Sequence, residues 1–270
     1  MPTPVITWIP DRLAVEIYLS SLPTGTATLT LWRLTDREQV VRGAVNTPVA
    51  GQFTHIDTEV PFTVPVAYRA ECFDADGLLI GYTDTASTSI TMHGVWVHNP
   101  LDPSNVVEVG LSDDAFRTIR AANTGDFYPL RGHRQAVFLA GGQTGVTEVN
   151  ATIYTYTKAD RSKLLTMLGR GDKPLPPILC FRFGAGYDLP VPAPFYAAIP
   201  DYAVQNLSVD PVIETTRWVG DATETLPPAP GITVAVLTYK HVNAAYRTLA
   251  QVARDNLTYG AVNRRYDLAE

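Results

Sequence analysis

Charge is scarce in this sequence, and so is cysteine. Asp, Glu, Lys and Arg make up 18% of the 270 residues, against 46% hydrophobic. A chain this apolar has material for packed cores and is not disordered. Its net charge of −6 has the wrong sign for a phosphate backbone, which argues against nucleic-acid binding as a main role. The two cysteines, Cys72 and Cys180, stand far apart in "AECFD" and "ILCFRF" and read as buried free thiols. No apolar run has the length of a membrane span. The opening "MPTPVITWIPDR" has neither a basic start nor an apolar core. These absences predict a protein made in the cytoplasm, without a signal peptide and without membrane insertion.

Catalytic patterns are missing as well. The five histidines are His55, His93, His98, His133 and His241; His93 and His98 have no Cys or carboxylate pattern around them at metal-ligand spacing, and all five read as structural or surface residues. "GAGYD" (184–188) does not open a helix, and "GGQTG" (141–145) lacks the Lys-Ser/Thr of a phosphate loop. No Gly-x-Ser-x-Gly elbow or His-Glu-x-x-His occurs. Asp113 with Asp114, or Asp74 with Asp76, would be the pair of a glycosidase, but their positions read as turns, where Asp serves the backbone. Trp8, Trp32, Trp96 and Trp218 read as core in preference to a sugar platform. The expectation is a protein that is not an enzyme and holds no cofactor or metal.

What the chain has is turn punctuation, 21 Pro and 19 Gly, between alternating segments. "RLAVEIYL" (12–19) puts Leu13, Val15, Ile17 and Leu19 on one face, and "TATLTLWRL" (26–34) does the same with Ala27, Leu29 and Leu31. "VPVAYRAECFD" (64–74) and "LLIGYTDTASTSI" (78–90) follow. Short strands at this spacing predict an immunoglobulin- or fibronectin-III-like β-sandwich over 1–92. "HGVWVHNPLDPSN" (93–105) reads as an inter-domain joint, with Trp96, Asn99, Pro100, Leu101 and Pro103 interrupting any ladder. Strand candidates then run 105–111, 115–122, 135–140, 146–157, 177–184, 195–210 and 212–223, with "GGQTG" as a hairpin turn. One helix interrupts them over 158–168. Thr157 caps it with Asp160 three residues on, Leu164, Leu165 and Leu168 form its stripe, and Gly169 or Gly171 ends it. The order predicts a β-barrel or sandwich with one inserted α-helix over 93–228.

The last segment, 229–270, carries a ten-residue repeat. Thr238, Thr248 and Thr258 open the copies, Tyr239, Leu249 and Tyr259 follow, and Val242, Val252 and Val262 close them. In one continuous helix ten residues advance about 1000°, so the copies would spiral around the rod. Short helices, each with Thr as N-cap, keep the aromatic or Leu and the Val on one side. Such helices are unstable alone, so that side must rest on the barrel or on a neighbouring subunit. An ordinary amphipathic C-terminal helix remains the alternative.

"LTLWRLTD…VVRGA" (29–44) and "IDTEVPFTVPVAYRAE" (56–71) resemble the N-terminal sandwich of minor tail proteins of long-tailed phages that infect actinobacteria. "VWVHNPLDPSN" (95–105) resembles that family's Trp-Val-x-Asp-Pro-Leu-x-Pro joint, with Asn99 in place of Asp and still able to form an Asx turn. "GDFYPLRGHRQAVFL" (125–139) is similar to its Gly-x-Phe-x-Pro-Leu-Gly segment, with Arg131 inserted. The terminal tens match its Thr-Trp/Tyr-x-x-Val/Leu repeats, with Leu249 replacing an aromatic. The resemblance implies a viral structural protein of the virion tail with a distal-tail-type barrel, assembled in the host cytoplasm. It also implies a ring of about six copies in contact with tube, hub and tail tip. A carbohydrate-binding or host-adhesion module, using the sandwich on host-surface polysaccharide, is the alternative. Tyr239, Val242, Leu249, Val252, Tyr259 and Val262 are the candidate subunit-interface residues.

Overall fold

The computed structural model describes residues 2–129, 131, 134–171, 175–208, 214–229, 239–246 and 248–255. It is mainly β. The first strands are β1 (Val5–Ile9), β2 (Ala14–Leu19), β3 (Thr28–Leu34), β4 (Glu38–Val40), β5 (Thr47–Pro48), β6 (Phe53–Asp57), β7 (Pro65–Phe73), β8 (Leu79–Tyr82) and β9 (Ala86–Ser89). They form a three-stranded sheet, β1-β2-β6, and a six-stranded sheet built on β4-β3-β7-β8, with β5 on β3 and β9 on β7. Alternation explains what they enclose. Val15, Ile17 and Leu19 of β2, Leu29 and Leu31 of β3, and Val66, Tyr68 and Ala70 of β7 all point into one core. Each Val, Leu and Ile among them stabilises by about 1.5–3 kcal/mol. Leu13 joins that core from a left-handed backbone, φ 49°, where its N–H closes a 3₁₀ turn on Pro10.

A second group follows: β10 (Val95–Asn99), β11 (Asp102–Leu111), β12 (Arg120–Pro129), β13 (Ala136–Thr147), β14 (Val149–Asn150), β15 (Ile153–Thr155), β16 (Ile178–Phe183), β17 (Phe195–Ala198), β18 (Tyr202–Asn206) and β19 (Thr216–Glu224). Six of them, in the order β10-β11-β15-β19-β17-β16, close on themselves as a barrel. Phe116 sits at its centre, with edge-on ring contacts to Phe181, Phe183 and Phe195 at 5.0, 5.4 and 5.9 Å. The inserted helix α1 (Lys158–Leu165) is capped as the sequence suggests: Asp160 N–H donates to Thr157 Oγ1 at 3.0 Å. The chain continues into one wider turn, Thr166–Arg170, and Leu164, Met167 and Leu168 plug the barrel core. Gly169 ends it at φ 84°; a Cβ there would lie 2.6 Å from the Leu175 carbonyl.

Several expectations fail. The prolines of 93–105 do not interrupt a ladder: Val95–Asn99 and Asp102–Leu111 are paired barrel strands. Pro100 and Leu101 form their tight turn and Pro103 lies early in β11, places where no ladder N–H is needed. Leu101 N–H donates to Asn99 Oδ1 at 2.9 Å, the Asx turn. "GGQTG" is not a turn but the middle of β13, and β12 ends at Pro129 before β13 begins at Ala136. "AFRTIRAA" is not one strand: Ala115 to Arg117 lie in a turn and β12 starts at Arg120. Residues Met1–Ala229 form one compact unit and Pro230–Glu270 a second.

That second unit contains α2 (Tyr239–Ala245) and α3 (Leu249–Asp255), each beginning one residue after a repeat threonine. Thr248 and Gln251 cap each other reciprocally, at 3.3 and 3.2 Å.

Candidate functional site: an exposed ribbon and a buried ionic junction

β12 and β13 pair only with each other among the described residues. Ten and twelve residues long, they make a ribbon of about 30 Å. Its register sets Phe127 opposite Phe138, Tyr128 opposite Val137 and Asp126 opposite Leu139. Because side chains alternate, Phe127 and Phe138 occupy one face, and Tyr128, Val137 and Leu139 the other. Neither face is covered: Phe127 is 71% exposed, Leu139 58% and Tyr128 50%. The two Phe rings meet each other at 4.8 Å. The ribbon is anchored at its base, where Val146 is buried and its N–H donates to Glu224 Oε2 at 2.8 Å. A two-stranded ribbon is marginal in water, and its open edges are templates for further strands.

The second feature is hidden. Arg33 follows Leu29 and Leu31 on the inward face of β3, opposite Tyr68 of β7. Asp57, inward at the end of β6, takes both of them: Arg33 Nη1 donates at 3.0 and 2.9 Å, the Tyr68 hydroxyl at 2.8 Å, and Glu59 N–H at 2.9 Å. Arg33 also reaches the Glu59 carbonyl and Gln39. Burial pushes the Asp57 carboxyl up, but Arg33, the Glu59 N–H and the Tyr68 hydroxyl outweigh it and hold the carboxyl below its ordinary range. Burial also opposes charge on Arg33, yet Asp57, Tyr196, Tyr68 and Glu59 keep that guanidinium more firmly protonated than usual.

Glu59 carries the network across to the barrel. It accepts from Arg42 Nε at 2.6 Å and from the hydroxyl of Tyr196, on β17, at 2.6 Å. Arg42 Nη2 donates to the Pro100 carbonyl. Arg182 of β16 donates to the Leu13 carbonyl and stacks 4.6 Å from the centroid of Phe62. Trp96 and Val106, on the outward face of the barrel, pack against the sandwich core. The same alternation that sends Val95, Val97, Phe181 and Phe183 into the barrel therefore sends Trp96, His98, Cys180 and Arg182 toward the sandwich. Burial and the nearby Arg182 and Arg42 depress the His98 pKa well below its ordinary value. Burial also lowers His55, whose Nε2 contacts the Arg42 carbonyl.

The residues singled out in the sequence fall in varied places. Asn99 is buried, its Nδ2 donating to the Met167 and Pro176 carbonyls at 2.8 and 2.9 Å, so it ties the barrel hairpin to the plug. Trp96 Nε1 donates to His93. Val242 and Val252 are partly buried and Leu249 is 85% exposed; Tyr259 and Val262, like the third repeat, lie outside the described residues. Tyr239 opens α2. Trp218 is buried, and Trp8 packs edge-on against Phe62. Asp74 binds its own turn, accepting from Asp76 and Leu78 N–H. Cys72 and Cys180 are free and buried. Among the described residues no cluster of His, Cys, Asp and Glu could hold a metal ion, and no helix is long and apolar enough to cross a membrane.

Neither the ribbon nor the ionic junction was anticipated as a site. The ribbon had one cue, adjacent apolar residues at Phe127-Tyr128 and Val137-Phe138-Leu139, which leave no polar face. Comparison with protein-family models, with curated proteins and with solved structures finds no match to this chain.

Proposed function

We propose that the chain is a structural component of a phage tail, a minor or distal tail protein that joins copies of itself in a ring near the end of the tail tube. The observation that carries this reading is the ribbon. Apolar residues on both faces and two open edges are unstable in water and are satisfied when neighbouring copies cover them. A ring requires heterologous contacts that close by rotation, and a protruding arm on each copy is suited to that. The resemblance of the quoted segments to actinobacteriophage minor tail proteins supplies the context. Within it, the barrel with its helical plug is the distal-tail-type module. The N-terminal sheets, β1-β2-β6 and β4-β3-β7-β8 with β9 on β7, are read as a fibronectin-III-like sandwich. The terminal repeat is a second contact with neighbours, through Tyr239, Val242, Leu249, Val252, Tyr259 and Val262. Tube, hub and tip proteins are the remaining partners, and no catalytic activity is assigned.

Sedimentation velocity of the full chain tests the reading. Oligomers at micromolar concentration are expected, and removal of residues 232–270 is expected to abolish ring formation while the β-rich unit stays folded. A monomer at every accessible concentration, alone and with tube protein, would end the proposal. Binding of the chain to host envelope polysaccharide on a glycan array would instead favour the adhesion reading.

A further inference from the structure

The ionic junction has a charge imbalance that the tail reading does not use. His98 pairs across the strands with Cys180, and Trp96 with Arg182, so His98 and Arg182 are diagonal neighbours on one face of the β10–β16 wall. Arg182 is 1% exposed, and beyond its bond to Leu13 its Nε and Nη2 have no partner. His98 is 0% exposed, and neither Nδ1 nor Nε2 has a partner. Arg42 arrives from the turn between β4 and β5. Its Nη2 is spent on Pro100, two residues beyond His98, and its Nη1 is also unpartnered. Unpartnered nitrogens of His98 on β10, of Arg182 on β16 and of Arg42 thus lie at one buried junction, where Arg182 and Arg42 both act on His98.

The charges there do not balance. The carboxylates that act on Arg182 are Asp57 and Glu59. Asp57 is engaged by Arg33 and Glu59 by Arg42. Three guanidiniums face two carboxylates, and a guanidinium does not release its proton. Cys180 and Tyr196, on the same side of the barrel wall, are kept neutral, chiefly by burial, and supply no charge. A buried cation without a counter-charge is strongly destabilising.

We infer that the junction between sandwich and barrel binds one small monovalent inorganic anion of the halide class, held by Arg182 Nε and Nη2, an N–H of His98 and Arg42 Nη1. The site offers hydrogen-bond donors around a single surplus positive charge. An acceptor-only monovalent ion answers both. Water answers the donors and leaves the charge.

The test uses the full chain in sodium gluconate, whose anion is too bulky to enter, titrated with sodium chloride or bromide at constant ionic strength. A saturable rise in melting temperature of about 2–4 °C is expected with either halide. Crystals grown in bromide are expected to show an anomalous peak beside Arg182 Nε and Nη2. Both signals should vanish in Arg182→Met; if that variant does not fold, the bromide crystals of the unaltered protein decide alone. An ordered water or no density at that place in bromide overturns the site, as does a halide response that survives in Arg182→Met.

Discussion

The ribbon and the ionic junction break opposite rules of protein architecture. At the junction, charged side chains are buried: Arg33 and Asp57 are each 2% exposed. On the ribbon, large apolar side chains stand in solvent. The difference lies in who answers them. Arg33, Asp57, Glu59 and Tyr196 find partners within their own chain, so the junction is an internal weld. On the ribbon Phe127 meets Phe138, Tyr128 and Leu139 lie on the opposite face, and most of that apolar surface stays uncovered. The exception inside the rule is Arg182, whose chain-supplied partners stop short of its charge.

The sharpest way to break this comparison is on the ribbon. If copies assemble as proposed, Phe127→Asp with Leu139→Asp is expected to leave monomers in sedimentation velocity, with a change of no more than about 0.5 kcal/mol in the unfolding free energy. A large loss of stability would mean that the ribbon serves its own chain. The mirror experiment is Asp57→Ala, which strands Arg33 and Tyr68. It should cost about 3–5 kcal/mol in denaturant unfolding without itself altering subunit contacts. Tyr196→Phe removes a hydrogen bond between the two modules and should cost about 1.5–3 kcal/mol in the same measurement.

Acid should act on the weld and spare the ribbon. His98 and His55 have folded pKa values below the ordinary value of about 6.5, so the unfolded chain takes up their protons first. Stability is therefore full above about pH 6.5 and falls below it, for His98 by about 1.4 kcal/mol per pH unit until its folded pKa is reached. Asp57, depressed in the fold, adds a second loss as pH drops below about 3.9. Thermal melts from pH 8 to pH 3 check the order, and His98→Phe should flatten the upper part. The smallest effect belongs to a cap: Thr157→Ala should lower stability by about 1 kcal/mol.

Local physics was legible in the residues themselves. Val15, Ile17 and Leu19 fall on one face because a strand alternates, Thr157 and Asp160 cap a helix because their oxygens reach its free N–H groups, and Asn99 turns the chain before Pro100. "GGQTG" misled because glycines in a long ribbon look like glycines in a turn when the pairing strand is unknown. The proline-rich segment misled for a related reason: Pro100 and Pro103 sit where the barrel hairpin needs no N–H, and only the ladder reveals that.

By itself the sequence determined a mainly β chain with one inserted helix capped by Thr157 and a terminal helix capped by Thr248, since each of these depends on neighbours a few residues apart. Tertiary structure alone decided that Arg33 meets Asp57, that Tyr196 crosses to Glu59, and that Phe127 stays uncovered. Those outcomes turn on contacts between positions 24 and 137 residues apart, or on their absence, and no local pattern encodes a distance of that kind.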